Sequence, residues 1–387
     1  MATKRLITCA NCGMSKLSFG DKYCSVACMN EHRAKKHTEA KLQEDGLNDI
    51  ERQLIKTKGE RDIFVRRYQE LQARVAEEDT FLERCIEHLD ALKALPPWKP
   101  PKQKYKFTKQ SMVLLLSDTQ IGEKFIEEDT GLYSYNLDIF KKRLEYLFKK
   151  TVLITDMHRS SVPIDDIHIL TLGDIIENES IYKGQGGYIE EGVLDQFFHA
   201  IEYISNFFRS IAGHFKTVYV PCIQGNHGRI NDTSRWYTNW DYLLYRFLES
   251  HLRDIPNIQF IIPKAWWMVH QVEGWKFYMT HGNTIPRYMS IPWYGLERMD
   301  GRITKMLQAK KIDYDYLVFG HHHNAFDWDS SHGERICNGS FNCGNVFAAK
   351  ELALSTRPTQ MLFGVHPHIG ITFRYKIRLD ASDFDKE

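Results

Sequence analysis

Five short polar motifs, each directly after a hydrophobic run, contain the residues of this chain that are suited to metal chemistry. The motifs are Ser117-Asp118-Thr119-Gln120, Gly173-Asp174, Gly225-Asn226-His227, His281-Gly282 and Gly320-His321-His322-His323. Their carboxylate, amide and imidazole groups provide seven or eight ligands for hard divalent cations. Each motif alone is typical of an ordinary turn or a solvated surface tract. Their shared position after buried strands indicates instead that they form one metal site.

The hydrophobic runs predict the elements that position these motifs. Five runs read as buried parallel strands: Met112 to Leu116, Ile167 to Leu172, Val218 to Ile223, Phe277 to Thr280 and Tyr316 to Phe319. Residues 137–158, 193–211 and 240–252 have the apolar spacing of amphipathic helices. Alternation of strands and helices predicts a mostly parallel, layered α/β sheet with the polar motifs at the carboxyl ends of its strands.

The order of the motifs resembles the calcineurin-like metallophosphoesterase family. The family pattern is Asp-x-His, Gly-Asp-x-x-Asp, Gly-Asn-His-Asp/Glu, a lone His and Gly-His-x-His, and the resemblance covers roughly residues 110 to 380. It implies a layered sandwich with helices flanking the sheets. It also implies two divalent metals in the active site, with Mn²⁺ expected first and Mg²⁺, Fe or Zn²⁺ as alternatives.

The resemblance implies a role for each motif residue. Around the first metal it places Asp118, Gln120, Asp174 and His323. Around the second metal it places Asp174, Asn226, His281 and His321. The Asp174 carboxylate would bridge the ions, a water activated between them would attack the phosphate, and His227 would donate a proton to the leaving oxygen.

Three positions depart from the family pattern. Gln120 stands where a histidine is usual, which favours oxygen-preferring Mn²⁺ or Mg²⁺ at the first site. Glu177 replaces the second Asp of the Gly-Asp motif. Gly228 follows His227 where a carboxylate is usual, so the partner that would raise the pKa of that histidine is missing there, and Asp232 is one substitute.

Basic and aromatic residues near the motifs are candidates for substrate contacts. Lys183, in a glycine-rich loop, and Arg229 are suited to binding phosphate, although both also fit an ordinary solvated loop. The aromatic residues Trp236, Tyr237 and Trp240 are suited to stacking on unpaired bases or, more commonly, to packing against the sheet.

The amino-terminal residues predict a second metal site. Cys9-x2-Cys12 and Cys24-x3-Cys28 are two close pairs separated by a turn-rich loop, which suits one structural Zn²⁺ bound by four thiolates. The segment from Tyr23 to Cys28, which leads into a basic helix, is similar to treble-clef zinc fingers. Such a module is expected to bind nucleic-acid phosphates or, alternatively, another protein.

A helical stretch over residues 41–95 follows the finger. Its candidate seam positions have a strict three-four spacing: Leu47, Ile50, Leu54, Thr57, Arg61, Phe64, Tyr68, Leu71, Val75, Glu78, Leu82, Cys85, Leu89 and Leu92. This spacing favours a coiled coil, and hence a homodimer, over a helix folded back on its own catalytic domain. Pro96-Pro97 ends the helix and opens a basic linker.

The chain of 387 residues therefore divides into four predicted parts. These are a four-cysteine zinc finger at 1–40, a coiled coil at 41–95, a Pro/Lys-rich linker at 96–109 and a metallophosphoesterase domain at 110–387. Hydrophobic residues make up 43% of the chain and its formal net charge is +1, so a large core is expected and any basic surface must be local. We expect a cytoplasmic protein that does not enter the membrane.

The leading functional hypothesis is a metal-dependent DNA nuclease resembling the SbcD-type repair exonucleases. A finger, a coiled coil and a basic linker suit a long tethered substrate such as DNA, and modular chains of this kind look phage-like. An ATPase partner of the SbcC type is a further expectation from the resemblance. The alternatives are a phosphomonoesterase, a cyclic-nucleotide phosphodiesterase, or a weakly active binding adaptor.

Overall fold

The computed structural model describes most of the second half of the chain and parts of the first. The described residues are 5–13, 15–18, 22, 26–44, 51, 53–69, 72, 83, 108–182, 184–231, 234–285, 293–330, 333–343, 346 and 355–383. The chain divides into two compact units, Met1–Arg84 and Cys85–Glu387. Among the described helices, none combines the length and the apolar character that a membrane span requires.

The described residues of the first unit form a β-hairpin and two helices. Strands β1 (Arg5–Thr8) and β2 (Ser15–Ser18) pair antiparallel, helix α1 runs over Val26–Glu44, and residues 53–69 form helix α2. Glu31 of α1 accepts a 2.7 Å hydrogen bond from Asn11 in the hairpin turn and pairs with Arg67 of α2. One carboxylate therefore joins all three parts of this unit.

The predicted coiled coil stays a prediction. The described part of residues 41–95 is helical, and its three described apolar or aromatic seam residues are exposed, namely Leu54, Phe64 and Tyr68. Most of the remaining seam and residues 96–107 of the predicted linker lie outside the described residues.

The second unit contains eleven further strands and five further helices among its described residues. The strands are β3 (Gln110–Leu116), β4 (Ile164–Thr171), β5 (Thr217–Pro221), β6 (Ile258–Ile261), β7 (Trp267–Val272), β8 (Trp275–Thr280), β9 (Tyr316–Phe319), β10 (Phe326–Ser330), β11 (Gly333–Cys337), β12 (Thr359–His366) and β13 (Gly370–Arg378). The helices are α3 (Glu127–Thr130), α4 (Leu137–Arg159), α5 (Val193–Ala212), α6 (Trp240–His251) and α7 (Trp293–Gln308), with short 3₁₀ turns at Gln185–Tyr188, Trp236–Thr238 and Leu379–Asp383.

These strands form two mixed sheets rather than one mostly parallel sheet. The order of the six-stranded sheet is β13-β12-β3-β4-β5-β6, and that of the five-stranded sheet is β10-β11-β9-β8-β7. The five predicted strands pair parallel with one another, β3 with β4, β4 with β5, and β8 with β9. Strands β7, β10, β12 and β13 pair antiparallel with their neighbours. Three of these antiparallel strands, β10, β12 and β13, come after His323 in the chain. Antiparallel strands that are consecutive in the chain can be joined by a short hairpin turn.

The two sheets pack face to face between layers of helices. Val113 and Leu170 of the six-stranded sheet share one buried apolar cluster with Phe277 and Val318 of the five-stranded sheet. Helix α7 packs its apolar face on the other side of β8 and β9, and α4, α5 and α6 contact β4, β5 and β6. The second unit is therefore a mixed α/β sandwich with helices flanking both sheets, as the fold prediction required.

Candidate metal centre

The polar motifs of both sheets converge at the carboxyl ends of five strands. Asp118 and Gln120 follow β3, Asp174 follows β4, and Asn226 follows β5. From the other sheet, His281 follows β8, and His321 and His323 follow β9. These strands are parallel within each sheet, and Asp118 Oδ1, after β3, accepts a 3.0 Å hydrogen bond from His321 N, after β9. The carboxyl ends of both sheets therefore share one edge of the sandwich.

Left-handed backbone conformations are concentrated at the ligand positions. Of the eight described non-glycine residues with positive φ, five are candidate ligands: Asp118 (51°), Gln120 (44°), Asp174 (54°), His321 (66°) and His323 (54°). Such a conformation costs a non-glycine residue about 1–3 kcal/mol, and it persists only where the surrounding structure imposes it. Hydrogen bonds from Asp118 N to Gly173 O and from Gln120 N to Asp174 O, both 3.1 Å, hold two of these turns together.

The buried carboxylate of Asp174 is the centre of the site. Its Oδ1 accepts a 2.7 Å hydrogen bond from His227 N. Its Oδ2 lies 2.9 Å from His281 Nε2 but makes no hydrogen bond of normal geometry to any residue described by the structure. The ligand atoms of Asp174, His281 and His321 lie within 4.8 Å of one another. A buried carboxylate oxygen without a hydrogen bond, facing imidazole nitrogens, fits a divalent cation.

The orientation of His281 supports its role as a ligand. Its Nδ1 lies 2.7 Å from Leu172 O, a group that can only accept, so Nδ1 is the donor. Its Nε2 therefore points toward Asp174 and also toward Asn226 Oδ1, 2.9 Å away. This arrangement, with one ring nitrogen fixed by a carbonyl, is the usual outer-shell support of a metal-binding histidine.

A second group of ligands surrounds Asp118. Its Oδ1 lies 3.3 Å from His323 Nε2 and accepts from His321 N at 3.0 Å, and its Oδ2 accepts from Ser117 Oγ at 2.5 Å. Gln120 Nε2 lies 3.4 Å from His323 Nε2, and Gln120 Oε1 accepts a hydrogen bond from Asn342. Gln120 is thus brought to the first site, but its oxygen is already engaged.

The pKa shifts are consistent with a centre suited to positive charge. Burial raises the pKa of Asp174, but His281 and His227 outweigh burial and hold it well below its usual value. Burial lowers the pKa of His281, whereas Asp174 raises it more, to about 9. Burial and the neighbouring His281 hold the pKa of His321 well below its usual value, which keeps that ring neutral as metal ligation requires. A cation bound at Asp174 would replace the proton that His281 otherwise carries.

Glu177 supplies the partner of His227 that Gly228 does not. His227 Nδ1 lies 3.0 Å from Glu177 Oε2 and 3.1 Å from Glu177 O. Both atoms are acceptors, so Nδ1 carries a proton, and Nε2, 4.0 Å from Asp174 Oδ2, faces the centre. Burial lowers the pKa of His227, but Glu177 and Asp174 together raise it well above its usual value. Asp232, the substitute suggested by the sequence, lies outside the described residues.

Close packing explains the glycine at position 228. A Cβ atom there would lie 2.4 Å from Asn239 Oδ1 and 3.0 Å from Asp241 N. A carboxylate at this position would require the start of α6 to move. The departure from the family pattern is therefore tied to the way α6 packs beside the centre.

Two polar residues that hydrogen-bond to the candidate ligands were not predicted from the sequence. Asp241, in the first turn of α6, accepts hydrogen bonds from the backbone N of Asp174, Ile175 and Gly225 at 2.8–3.1 Å. Burial, together with Asp174, raises the pKa of Asp241 to about 6. Asn342 donates to both Gln120 and Glu123. The position of Asp241 as an acidic residue within a predicted amphipathic helix could have indicated its role. No pattern in the sequence indicated a role for Asn342.

The other predicted site residues differ in what the structure says of them. Arg229 is half-buried, and its Nε donates to Asn226 O at 2.9 Å, so it lies beside a proposed ligand. Lys183 lies outside the described residues.

In the first unit, three of the four predicted zinc ligands come together. The thiols of Cys9, Cys12 and Cys28 lie within 4.8 Å of one another. Cys24 lies outside the described residues. Three converging thiols are a candidate metal site, and the identity of the metal stays a prediction.

No family model matches the chain, and no curated protein matches it. Among solved structures, it is similar to vacuolar protein sorting 29 from Cryptosporidium parvum, with 14% identity over 69% of this chain and 99% of that one, at a TM-score of 0.33. An archaeal phosphodiesterase is 12% identical over 69% and 99% of the chains, at a TM-score of 0.31. A predicted phosphoesterase from Streptococcus pneumoniae is 10% identical over 70% and 99%, at 0.27. These TM-scores are too low to support a function.

Proposed function

We propose that this protein is a two-metal-dependent phosphodiesterase of the calcineurin-like type that hydrolyses DNA. The observation that carries the proposal is the buried Asp174 carboxylate, which lies with the ligand atoms of His281 and His321 within 4.8 Å and whose Oδ2 makes no hydrogen bond of normal geometry to the described residues. On this proposal, Asp118, Gln120 and His323 complete the first site with Asp174, and Asn226, His281 and His321 complete the second. Such an arrangement is suited to one carboxylate shared by two cations.

The donor types bear on which metals would be held. Asp118 and Gln120 give the first site oxygen donors with one imidazole, which favours Mn²⁺ or Mg²⁺ over Zn²⁺. His281 and His321 give the second site more nitrogen, which suits Mn²⁺, Fe or Zn²⁺. Bound there, a metal pair would clamp a phosphate and lower the pKa of a water that attacks it.

His227 is suited to protonating the leaving oxygen. Its Nδ1 is fixed by Glu177, its Nε2 faces the centre, and its raised pKa keeps it protonated near neutral pH. Glu177 itself accepts a 2.7 Å hydrogen bond from Gln185 Nε2, so the acid and its partner have a defined orientation.

The choice of DNA as substrate rests on the rest of the chain. A cysteine cluster followed by the basic helix α1 fits binding to a charged polymer, and Arg229 is a candidate for a phosphate contact. A homodimer formed through residues 41–95 would bring two such centres to one DNA molecule. An SbcC-type ATPase is a further proposed partner.

The test is hydrolysis of labelled linear and circular DNA with Mn²⁺, Mg²⁺ or Zn²⁺, beside hydrolysis of the small diester bis(p-nitrophenyl) phosphate. We expect metal-dependent cleavage of both substrates, abolished by Asp174→Asn and unaffected by Asp138→Asn, an exposed carboxylate on α4.

Cleavage of the small diester with every DNA left intact would contradict the assignment of DNA. Failure to cleave any phosphoester with any metal would favour a binding adaptor, for which the engaged oxygen of Gln120 is the supporting observation.

A further inference from the structure

The loop that follows His227 begins and ends beside the metal centre. This segment, residues 229–238, is called here the aromatic loop. At its base, Gly228 O accepts a 2.6 Å hydrogen bond from Trp240 N, and Arg229 and Asn239 form an antiparallel bridge. The base of the loop is thus fixed directly beside the proposed proton donor.

Short-range hydrogen bonds give the loop a defined shape in its described part, which excludes residues 232 and 233. Ser234 Oγ accepts from Ile230 N and Asn231 N, each at 2.9 Å. Thr238 Oγ1 accepts from Arg235 N at 2.9 Å. A loop ordered before binding loses less conformational entropy when it engages a ligand.

The loop presents an aromatic ring to solvent beside positive charge. Tyr237 is 56% exposed, and its ring lies edge-on to Trp236 with centroids 5.1 Å apart. Lys264 Nζ lies 5.0 Å from the centroid of the Trp236 ring, and Arg235 is exposed on the same loop. An exposed ring with neighbouring cations matches a ligand that combines planar groups with phosphates.

The three aromatic residues of this region therefore differ in their roles. Trp240 packs against Phe197, with ring centroids 5.6 Å apart. Trp236 is half-buried between Tyr242, at 5.0 Å, and Lys264. Packing explains Trp236 and Trp240, whereas it does not explain the exposure of Tyr237.

We propose that the aromatic loop binds single-stranded DNA next to the metal centre, with an unpaired base stacked on Tyr237 and the strand's phosphates near Arg235 and Lys264. This inference rests on the proposed function and specifies its substrate. A single strand is favoured because the faces of paired bases are covered by their neighbours in a duplex, so a side-chain ring reaches them only after unpairing.

The test measures binding of a labelled phosphorothioate oligothymidylate and of a matched phosphorothioate duplex by fluorescence anisotropy, using the full chain with Mn²⁺. Tyr237→Leu keeps apolar bulk but removes the planar ring, and Tyr237→Phe keeps the ring. We expect Tyr237→Leu to weaken binding of the single strand about 5- to 100-fold, and Tyr237→Phe to bind like the parent. Duplex binding should change little in either variant.

Hydrolysis of bis(p-nitrophenyl) phosphate by the same samples separates the two proposals. A far-UV circular dichroism spectrum like that of the parent shows that Tyr237→Leu is folded, so an unchanged affinity for the oligonucleotide would overturn the stacking role. Equal losses of single-strand and duplex affinity would overturn it too, as would failure of the parent protein to bind the oligonucleotide. Absence of diester hydrolysis in the parent would instead contradict the proposed function.

Discussion

The two candidate metal sites of this protein are built in opposite ways. In the first unit, the thiols come from a hairpin turn and the start of one helix, and Cys12 is exposed. In the second unit, the candidate ligands come from five strand ends spread over residues 118–323, and Asp174 and His281 are each 1% exposed. Ligands close in sequence need little scaffold, whereas distant ligands need a complete fold to bring them together.

This difference indicates what a metal bound at each candidate site would contribute. The cysteine cluster is surrounded by few buried apolar residues among those described in the first unit, so its metal is expected to stabilise the unit itself. The Asp174 centre lies at the edge of a sandwich with a large shared core, so its metals are expected to serve chemistry rather than folding.

The largest expected effect is the response of the two units to metal removal. A strong chelator should release about one zinc per chain and unfold the hairpin of the first unit, because structural zinc contributes on the order of 10 kcal/mol to such small modules. The second unit should keep its fold. Metal analysis combined with limited proteolysis and mass spectrometry would locate the cleavages.

The variant Cys28→Ser should reproduce this loss without a chelator, and Asn30→Ala on the same helix is its control. If proteolysis after metal removal cut both units equally, or if Cys28→Ser kept its zinc, the two sites would not differ in their contribution to folding.

A second prediction concerns His227, the proposed proton donor in the second unit. His227→Asn should slow hydrolysis of a diester with an alkoxide leaving group about 10²- to 10⁴-fold, the usual contribution of a general acid. Hydrolysis of a p-nitrophenyl ester should fall much less, since that leaving group departs without a proton. The ratio of kcat/KM values for the two substrates is the measurement. If kcat/KM fell equally for the two substrates, His227 would instead be assigned to substrate binding.

The third prediction concerns the support of His227 by Glu177. Glu177→Gln should lower the rate about 10- to 100-fold, as loss of an outer-shell partner commonly does. Because the Glu177 charge raises the pKa of His227, its removal lowers that pKa. The acid form is then lost at lower pH, so the descending limb of the pH–rate profile should shift to lower pH. Glu179→Gln, a carboxylate two residues along the chain, is the control and should leave the limb in place.

The smallest expected effect concerns the second unit's own stability. His168 and His270 lie 2.8 Å apart in the buried region between the sheets, and His168 stacks on Tyr219. Burial lowers the pKa of His168 well below its usual value and that of His270 to about 4. The unfolded chain therefore binds more protons, and stability should be lost as pH falls below about 6.5.

At pH 5.5 the loss should be about 1 kcal/mol for each histidine. Urea unfolding of the second unit at pH 7.5 and 5.5, for the parent and His270→Gln, would measure it. An equal loss in the parent and in His270→Gln would mean that other groups cause the acid sensitivity.

The sequence predicted the scaffold well where apolar runs were continuous. β9 coincides with the predicted run at Tyr316–Phe319, and β3, β4, β5 and β8 overlap the other four. The amphipathic segments became α4, α5 and α6. The antiparallel strands after His323 were not predicted, and the two stacked sheets were expected only from the family resemblance, because local patterns do not specify which strands pair.

What the sequence determined by itself was the set of candidate ligands and the edge of the sandwich at which they meet. Strand hydrophobicity places Asp118, Asp174 and His281 at strand ends, and parallel pairing then collects those ends. Only the tertiary structure decided that Glu177 supports His227 and that Asn342 engages Gln120. Those contacts join residues 50 and 222 positions apart, and they depend on how loops pack around the sheet edge. The sequence specifies the type of each side chain. The distance between side chains that are far apart in the chain is determined only by the folded sandwich.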